Sequence, residues 1–217
     1  MSTALKPEQS PPTQYSYADY LRFPDDGKRW EIIDGVPYLM AAPRTAHQMV
    51  LWSISGAFYA HLRGKKCKAF IAPFDVRLPK QRKKQDKDIY NIVQPDITVY
   101  CDKKKYDDRG GIGAPEMVIE ILSPSSGRMD RFHKFMLYRE AGVREYWLVD
   151  PTNHFIEIYR LKNNELIKVG EYFPGDILPA PKIGCDDLAD FTLSADQVFE
   201  SVLGPGVAPI IPVEVYQ

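Results

Sequence analysis

The sequence predicts an α/β fold of the α+β kind: a mixed β-sheet flanked by helices, with one β-hairpin ahead of the core and a second after it. Three observations carry this. Asp34-Gly35 and Asn163-Asn164 each stand between apolar runs, which is hairpin chemistry. Residues 116–122 form a short run that is apolar on both faces, as a central strand requires. A helical pattern and a further apolar run, 145–149, follow it and make a strand–helix–strand unit expected to cross over right-handed.

The elements follow in order. Residues 1–14 contain Pro7, Pro11 and Pro12 and read as a tail ahead of a short helix near Tyr15 to Leu21, with Ser16 as its cap. The first hairpin spans Trp30 to Met40. Arg44 to Arg63 is helical, since Val50, Ile54, Ala57, Phe58 and Leu62 recur at spacings of three and four, and Gly64 ends it. Strands are expected near 67–72, 74–78 and 97–101, with Lys80 to Asp88 between them as an exposed loop. Ser123-Pro124-Ser125-Ser126-Gly127 breaks the chain before a helix from Arg128 to Ala141, which places Phe132, Phe135 and Met136 on one stripe. Strands near 155–161 and 165–173 form the second hairpin, and a helix near 194–203 leads into a tail, 204–217. The domain is therefore expected to occupy residues 15–203 as one unit.

Composition excludes several functions. The 217 residues carry 28 Lys+Arg against 29 Asp+Glu, a net charge of −1, which is not the balance of a protein that coats nucleic acid through bulk charge. No apolar stretch reaches the length of a membrane span and the N-terminal residues hold no apolar signal region, so a cytoplasmic protein without a membrane partner is expected. Cys67, Cys101 and Cys185 are odd in number and lack CxxC spacing, so they are expected to be reduced and packed as small hydrophobes. The four histidines show no zinc spacing.

Few residues carry chemistry. Glu120 sits among apolar neighbours in a buried-strand pattern, and a carboxylate there needs either an Arg or Lys partner or a cation. Asp96 follows Pro95 at the start of a strand; it is either an Asx-type cap or the partner of Glu120 in a two-carboxylate site suited to Mg²⁺. Lys134 is either the surface partner of Asp130, four residues before it, or a cation that orients water or steadies a phosphate. The segment Lys80 to Lys87 and the run Lys103-Lys104-Lys105 read either as phosphate contacts or as solvated loops.

Pro95-Asp96, Glu120 and Lys134 together resemble the PD-(D/E)XK nuclease superfamily. The longer string Val118-Ile119-Glu120-Ile121-Leu122-Ser123-Pro124-Ser125-Ser126, then Asp130, Lys134, Tyr138 and Ala141-Gly142-Val143-Arg144-Glu145-Tyr146-Trp147-Leu148-Val149-Asp150-Pro151, is similar to the Uma-two family of restriction-endonuclease-like proteins, over residues 15–200. The resemblance implies a restriction-endonuclease-like core and a Mg²⁺- or Mn²⁺-dependent endonuclease acting on DNA. Asp96, Glu120 and the Ile121 carbonyl would be metal ligands and Lys134 would be catalytic. The superfamily lysine position, two after Glu120, holds Leu122; in Uma-two proteins it moves to the following helix, where Lys134 stands. Glu31 and His47 match recurrent family positions. They, with Asp130, are auxiliary site candidates, Glu31 against a reading as the polar face of a hairpin and His47 against one as a helix-start hydrogen bond. A homodimer is expected for cutting two strands, with the second hairpin and the C-terminal tail as contact surfaces. The alternative function is an inactive nuclease fold serving as a dimeric binding or accessory module.

Overall fold

The computed structural model describes residues 14–80, 85–124 and 127–204. The two tails beyond Gln14 and Gly204, the centre of the charged 80–88 segment, and Ser125-Ser126 lie outside those residues. In chain order the elements are α1 (Tyr17–Tyr20), β1 (Trp30–Ile33), β2 (Val36–Leu39), α2 (Thr45–Leu62), β3 (Lys68–Ile71), β4 (Val76–Arg77), β5 (Ile92–Val93), β6 (Ile97–Tyr100), β7 (Tyr106–Asp107), β8 (Gly110–Ile112) and β9 (Met117–Ile121). A π-helical turn, Met129–Lys134, runs into α3 (Phe135–Ala141) and is followed by β10 (Glu145–Asp150), β11 (Phe155–Lys162), β12 (Glu165–Tyr172) and α4 (Ala195–Leu203).

Each predicted element forms, and local chemistry sets its ends. Ser16 and Ser194 cap α1 and α4 in full capping boxes. The hairpin turns need positive φ, which Asp34 (52°) and Gly35 (78°) supply in the first and Asn163 (53°) and Asn164 (62°) in the second. Gly142 closes α3 in the left-handed region.

The strands make two six-stranded sheets where the sequence predicts one. The main sheet runs β12-β11-β10-β9-β6-β3, and a smaller one runs β2-β1-β5-β4-β8-β7. The strands missed from sequence are β5, β7 and β8, of two or three residues, too short to show a period. In the main sheet β9 is central, parallel to β10 and antiparallel to β6, and buried at every position.

Alternation splits the core. Ile97, Val99, Met117, Ile119, Ile121, Trp147 and Val149 face the layer of α2 and α4. Val118, Tyr146 and Leu148 face the other way, with Val76, Val93, Leu137 and Tyr138. Thr98 opposes Val118 in the β6–β9 ladder and Ile97 opposes Ile119, so the register carries Asp96 opposite Glu120 on that second side.

Two expectations are corrected. Of the predicted stripe, Phe135 packs against the core, but Phe132 and Met136 face solvent, at 65% and 43% exposed, while Asp130, Lys134, Leu137 and Tyr138 are buried. The inner face of this helix is polar at its start because it meets carboxylates, which inverts the usual reading of amphipathicity. The cysteines are also not all reduced: Cys67 and Cys101 form a disulfide. Continuing the β3–β6 ladder past Lys68–Tyr100 sets these two opposite one another, a pairing hidden by 34 residues of sequence.

Candidate active site

The site begins with two strands. Asp96 precedes β6 and Glu120 is the fourth residue of β9. The Asp96 Oδ2 accepts the backbone N–H of Ile121 at 2.7 Å, which fixes the carboxylate at the strand's start. Ile121, expected to offer its carbonyl, thus also holds Asp96 through its amide. On the other side, His47 from the first turn of α2 sets its Nε2 3.1 Å from Asp96 Oδ1. His47 Nδ1 is buried and has no hydrogen-bond partner among the described residues. The partner of the His47 ring is therefore Asp96 and not a group at the helix start.

Glu120 is buried and takes two donors on one oxygen: the Tyr138 hydroxyl at 2.6 Å and Lys134 Nζ at 3.1 Å. Lys134 Nζ also lies 2.9 Å from Glu31 Oε1 and 3.4 Å from Asp130 Oδ1. The Asp130–Lys134 pair is thus internal; the sequence reading of a surface pair is corrected. Glu31, on β1 of the smaller sheet, accepts the Gln94 N–H at 2.8 Å and is buried, which sets aside its reading as the polar face of an exposed hairpin. Lys134 therefore joins a carboxylate of each sheet. The π-helical turn places Asp130 and Lys134 together on its buried side, a geometry often found at functional sites.

Charge at this point is unbalanced. Glu31, Asp96, Glu120 and Asp130 bring four carboxylates against Lys134, Arg29 and one histidine. Burial pushes the Glu120 carboxyl well above its ordinary value; Lys134 opposes this, while Asp130, Asp96 and Glu31 add to it. Burial alone would lower the Lys134 ammonium, but Glu120, Glu31 and Asp130 outweigh it and hold the lysine well above the usual range. The Tyr138 hydroxyl is raised by burial and then by Glu120, so it stays protonated and donates.

Glu31, His47, Asp96, Glu120, Asp130 and Lys134 line a cavity of about 270 Å³, which also receives Arg29, Gln48, Ser123 and Met129. Arg29 Nε donates to Gln94 at 2.9 Å, while its Nη2 is buried without a hydrogen-bond partner among the described residues. Sequence reasoning gave no role to Arg29, Gln94 or Tyr138. Tyr138 was the detectable one, because it stands four residues after Lys134 and so shares its helical face. Of the described residues in the basic runs, Lys105 pairs with Glu116 at 2.7 Å and Lys80 with Asp34 at 2.7 Å; residues 81–84 lie outside the described residues. Among the described residues no helix is long and apolar enough to cross a membrane.

The arrangement has relatives. A crystal structure of "a putative nuclease belonging to DUF820" from Anabaena variabilis superposes with a TM-score of 0.66 at 20% identity, covering 85% of this chain and 97% of that one. The fold is therefore that of a nuclease-like α+β domain. Two uncharacterized proteins of Synechocystis match in sequence. One is 28% identical over 183 residues, 83% of this chain and 92% of its own; the other is 21% identical over 147 residues, 66% and 78%. A family model described as "Putative restriction endonuclease" matches residues 17–187, a span that starts at α1, takes in Glu31, His47, Asp96, Glu120 and Lys134, and ends in the loop before α4. The chain belongs to that family, Uma2.

Proposed function

We propose that the protein is an endonuclease that hydrolyses phosphodiester bonds in DNA with the help of Mg²⁺ or Mn²⁺. One observation carries the reading: Asp96 and Glu120 stand opposite each other on neighbouring strands, at the wall of a cavity, with more carboxylates around them than cations. A hard divalent cation fits this donor set, because carboxylate oxygens are its preferred ligands and its charge offsets their repulsion. Asp96 and Glu120 would hold it, with the Ile121 carbonyl and, through the buried ring, His47 as further donors. Bound there, the cation supplies Lewis acidity, which acidifies a water and stabilises charge on a phosphate.

The chain's own residues do the rest. Lys134 and Tyr138 hold the Glu120 oxygen in a single orientation. The Ile121 amide does the same for Asp96. Lys134 keeps a permanent positive charge at the cavity wall, suited to orienting a water or receiving a phosphate oxygen. Arg29 Nη2, buried at the cavity wall with no hydrogen-bond partner among the described residues, would turn to donate to a second phosphate oxygen. Glu31 and Asp130 position Lys134. A two-fold dimer would present two such sites to the two strands of a duplex; sedimentation yielding only monomer at micromolar concentration would remove that part of the reading.

A manganese-soaked crystal tests the site. The expected result is an anomalous peak bonded to Asp96 and Glu120, absent in Asp96→Asn. A soaked crystal with no peak at these carboxylates would refute the assignment.

A further inference from the structure

Far from the carboxylates lies a second cluster of metal-ligating side chains. Asp96 and Cys101 bracket β6, about 16 Å apart at roughly 3.3 Å per strand residue. At the Cys101 end, the sulfurs of Cys67, Cys101 and Cys185 all lie within 4.8 Å of one another, the one such group of His, Cys, Asp or Glu ligands among the described residues. Cys67 and Cys101 are bonded, and Cys185 is a free thiol whose sulfur is 3.3 Å from that of Cys67.

The third sulfur is held by contacts that do not involve sulfur. Two residues beyond Cys185, the Asp187 carboxylate accepts the Cys67 N–H at 2.7 Å. The Asp187 carbonyl contacts His61 Nε2 at 2.8 Å and accepts Lys65 Nζ at 3.0 Å. So three separate segments deliver three sulfurs to one point, and a hydrogen-bond network keeps the most remote of them there. Cys67 and Cys101 are buried, while Cys185 is partly exposed and leaves a path from solvent.

We propose that, with the Cys67–Cys101 bond reduced, these three cysteines bind one thiophilic d¹⁰ cation of the zinc class, which fastens the segment before α4 to the ends of β3 and β6. Sulfur is the ligand that selects such ions over Mg²⁺. With zinc–sulfur bonds of about 2.3 Å, sulfurs in a shared coordination shell sit roughly 3.8 Å apart. The Cys67 and Cys185 sulfurs stand 3.3 Å apart and all three lie within 4.8 Å of one another, so small shifts reach that spacing once the bonded pair is cleaved. A dithiol reductant supplies two electrons and two protons, becomes a disulfide itself, and leaves two thiols beside Cys185. The cation then displaces the thiol protons to solvent.

Cobalt(II) is the probe, because sulfur ligation gives a thiolate-to-cobalt charge-transfer band that carboxylate ligation does not. The full-length protein is reduced, freed of reductant and titrated with Co²⁺, then with Zn²⁺. The expected result is a band saturating at one equivalent, erased by Zn²⁺, absent before reduction, and retained in Asp96→Asn. Cys185→Ser, at a partly exposed position and with folding checked by circular dichroism, is expected to weaken binding by at least about 10-fold. No band in the reduced wild type, or equal affinity in Cys185→Ser, overturns the proposal.

Discussion

The Asp96 carboxylate accepts the amide of Ile121 at 2.7 Å, so the residue that opens β6 is locked to the residue that follows Glu120 in β9. One hydrogen bond thereby fixes the relative position of the two carboxylates that the proposed reaction depends on. It leaves the other Asp96 oxygen to His47 and the cavity.

Lys134 is the hinge of the charge balance. Replacing it with methionine leaves Glu31, Glu120 and Asp130 buried without their cation. The expected cost is about 3–5 kcal/mol in metal-free buffer. Added Mg²⁺ should recover part of it, by binding only the folded state. Urea unfolding with EDTA and with Mg²⁺ measures both; an unchanged midpoint in EDTA would contradict the network.

The raised Glu120 carboxyl makes a pH prediction. Its folded pKa lies above its unfolded value, so its contribution to stability is full below the unfolded pKa, 4.5, and is lost as pH rises through the folded value. Metal-free wild type should therefore lose stability relative to Glu120→Gln as pH rises above 4.5. Mg²⁺ should flatten that loss, since the cation binds the carboxylate form. Parallel denaturation series at several pH values decide it; identical pH profiles would refute the assignment to Glu120.

Arg29 should act on substrate rather than on the fold. Losing a charged hydrogen bond to phosphate costs about 1.5–3 kcal/mol, or roughly 10–100-fold in kcat/KM. Arg29→Gln is expected to show that loss with at most the small drop in melting temperature that losing its hydrogen bond to Gln94 brings. Wild-type kinetics in the variant would remove Arg29 from the substrate path.

Outside the site, Gly110 and Gly111 test the smaller sheet. A Cβ on Gly110 would meet the Asp75 carbonyl oxygen at 2.2 Å, at a φ of +113°, and one on Gly111 would meet the Tyr100 hydroxyl at 2.2 Å. Either alanine substitution should destabilise the protein by about 1–3 kcal/mol. Thermal unfolding measures it, and a neutral substitution would contradict this packing.

Much of this was legible in the sequence, and the misses have physical causes. The hairpins, α2 and β9 were readable because turn chemistry and apolar periodicity are local. Asp96, Glu120 and Lys134 were readable because a carboxylate in an apolar strand is costly and calls for company. Phe135 was read correctly, but Phe132 and Met136 misled because the buried face of that helix is polar at its start, so part of the apolar stripe points outward. The second sheet was missed because β5, β7 and β8 are too short for a pattern. The cysteine cluster was missed because pairing across β3 and β6 is a matter of register, which spacing along the chain does not contain.

Plasmid nicking decides whether Asp96 and Glu120 support metal-dependent cleavage of DNA. Supercoiled DNA is incubated with wild type, Asp96→Asn and Glu120→Gln, each confirmed as folded, in Mg²⁺, in Mn²⁺ and in EDTA. Nicking by wild type is expected only with metal, and both variants are expected to lose at least about 100-fold, matching removal of a group that stabilises transition-state charge. Equal activity in all three proteins, or activity that persists in EDTA, would contradict the proposed function.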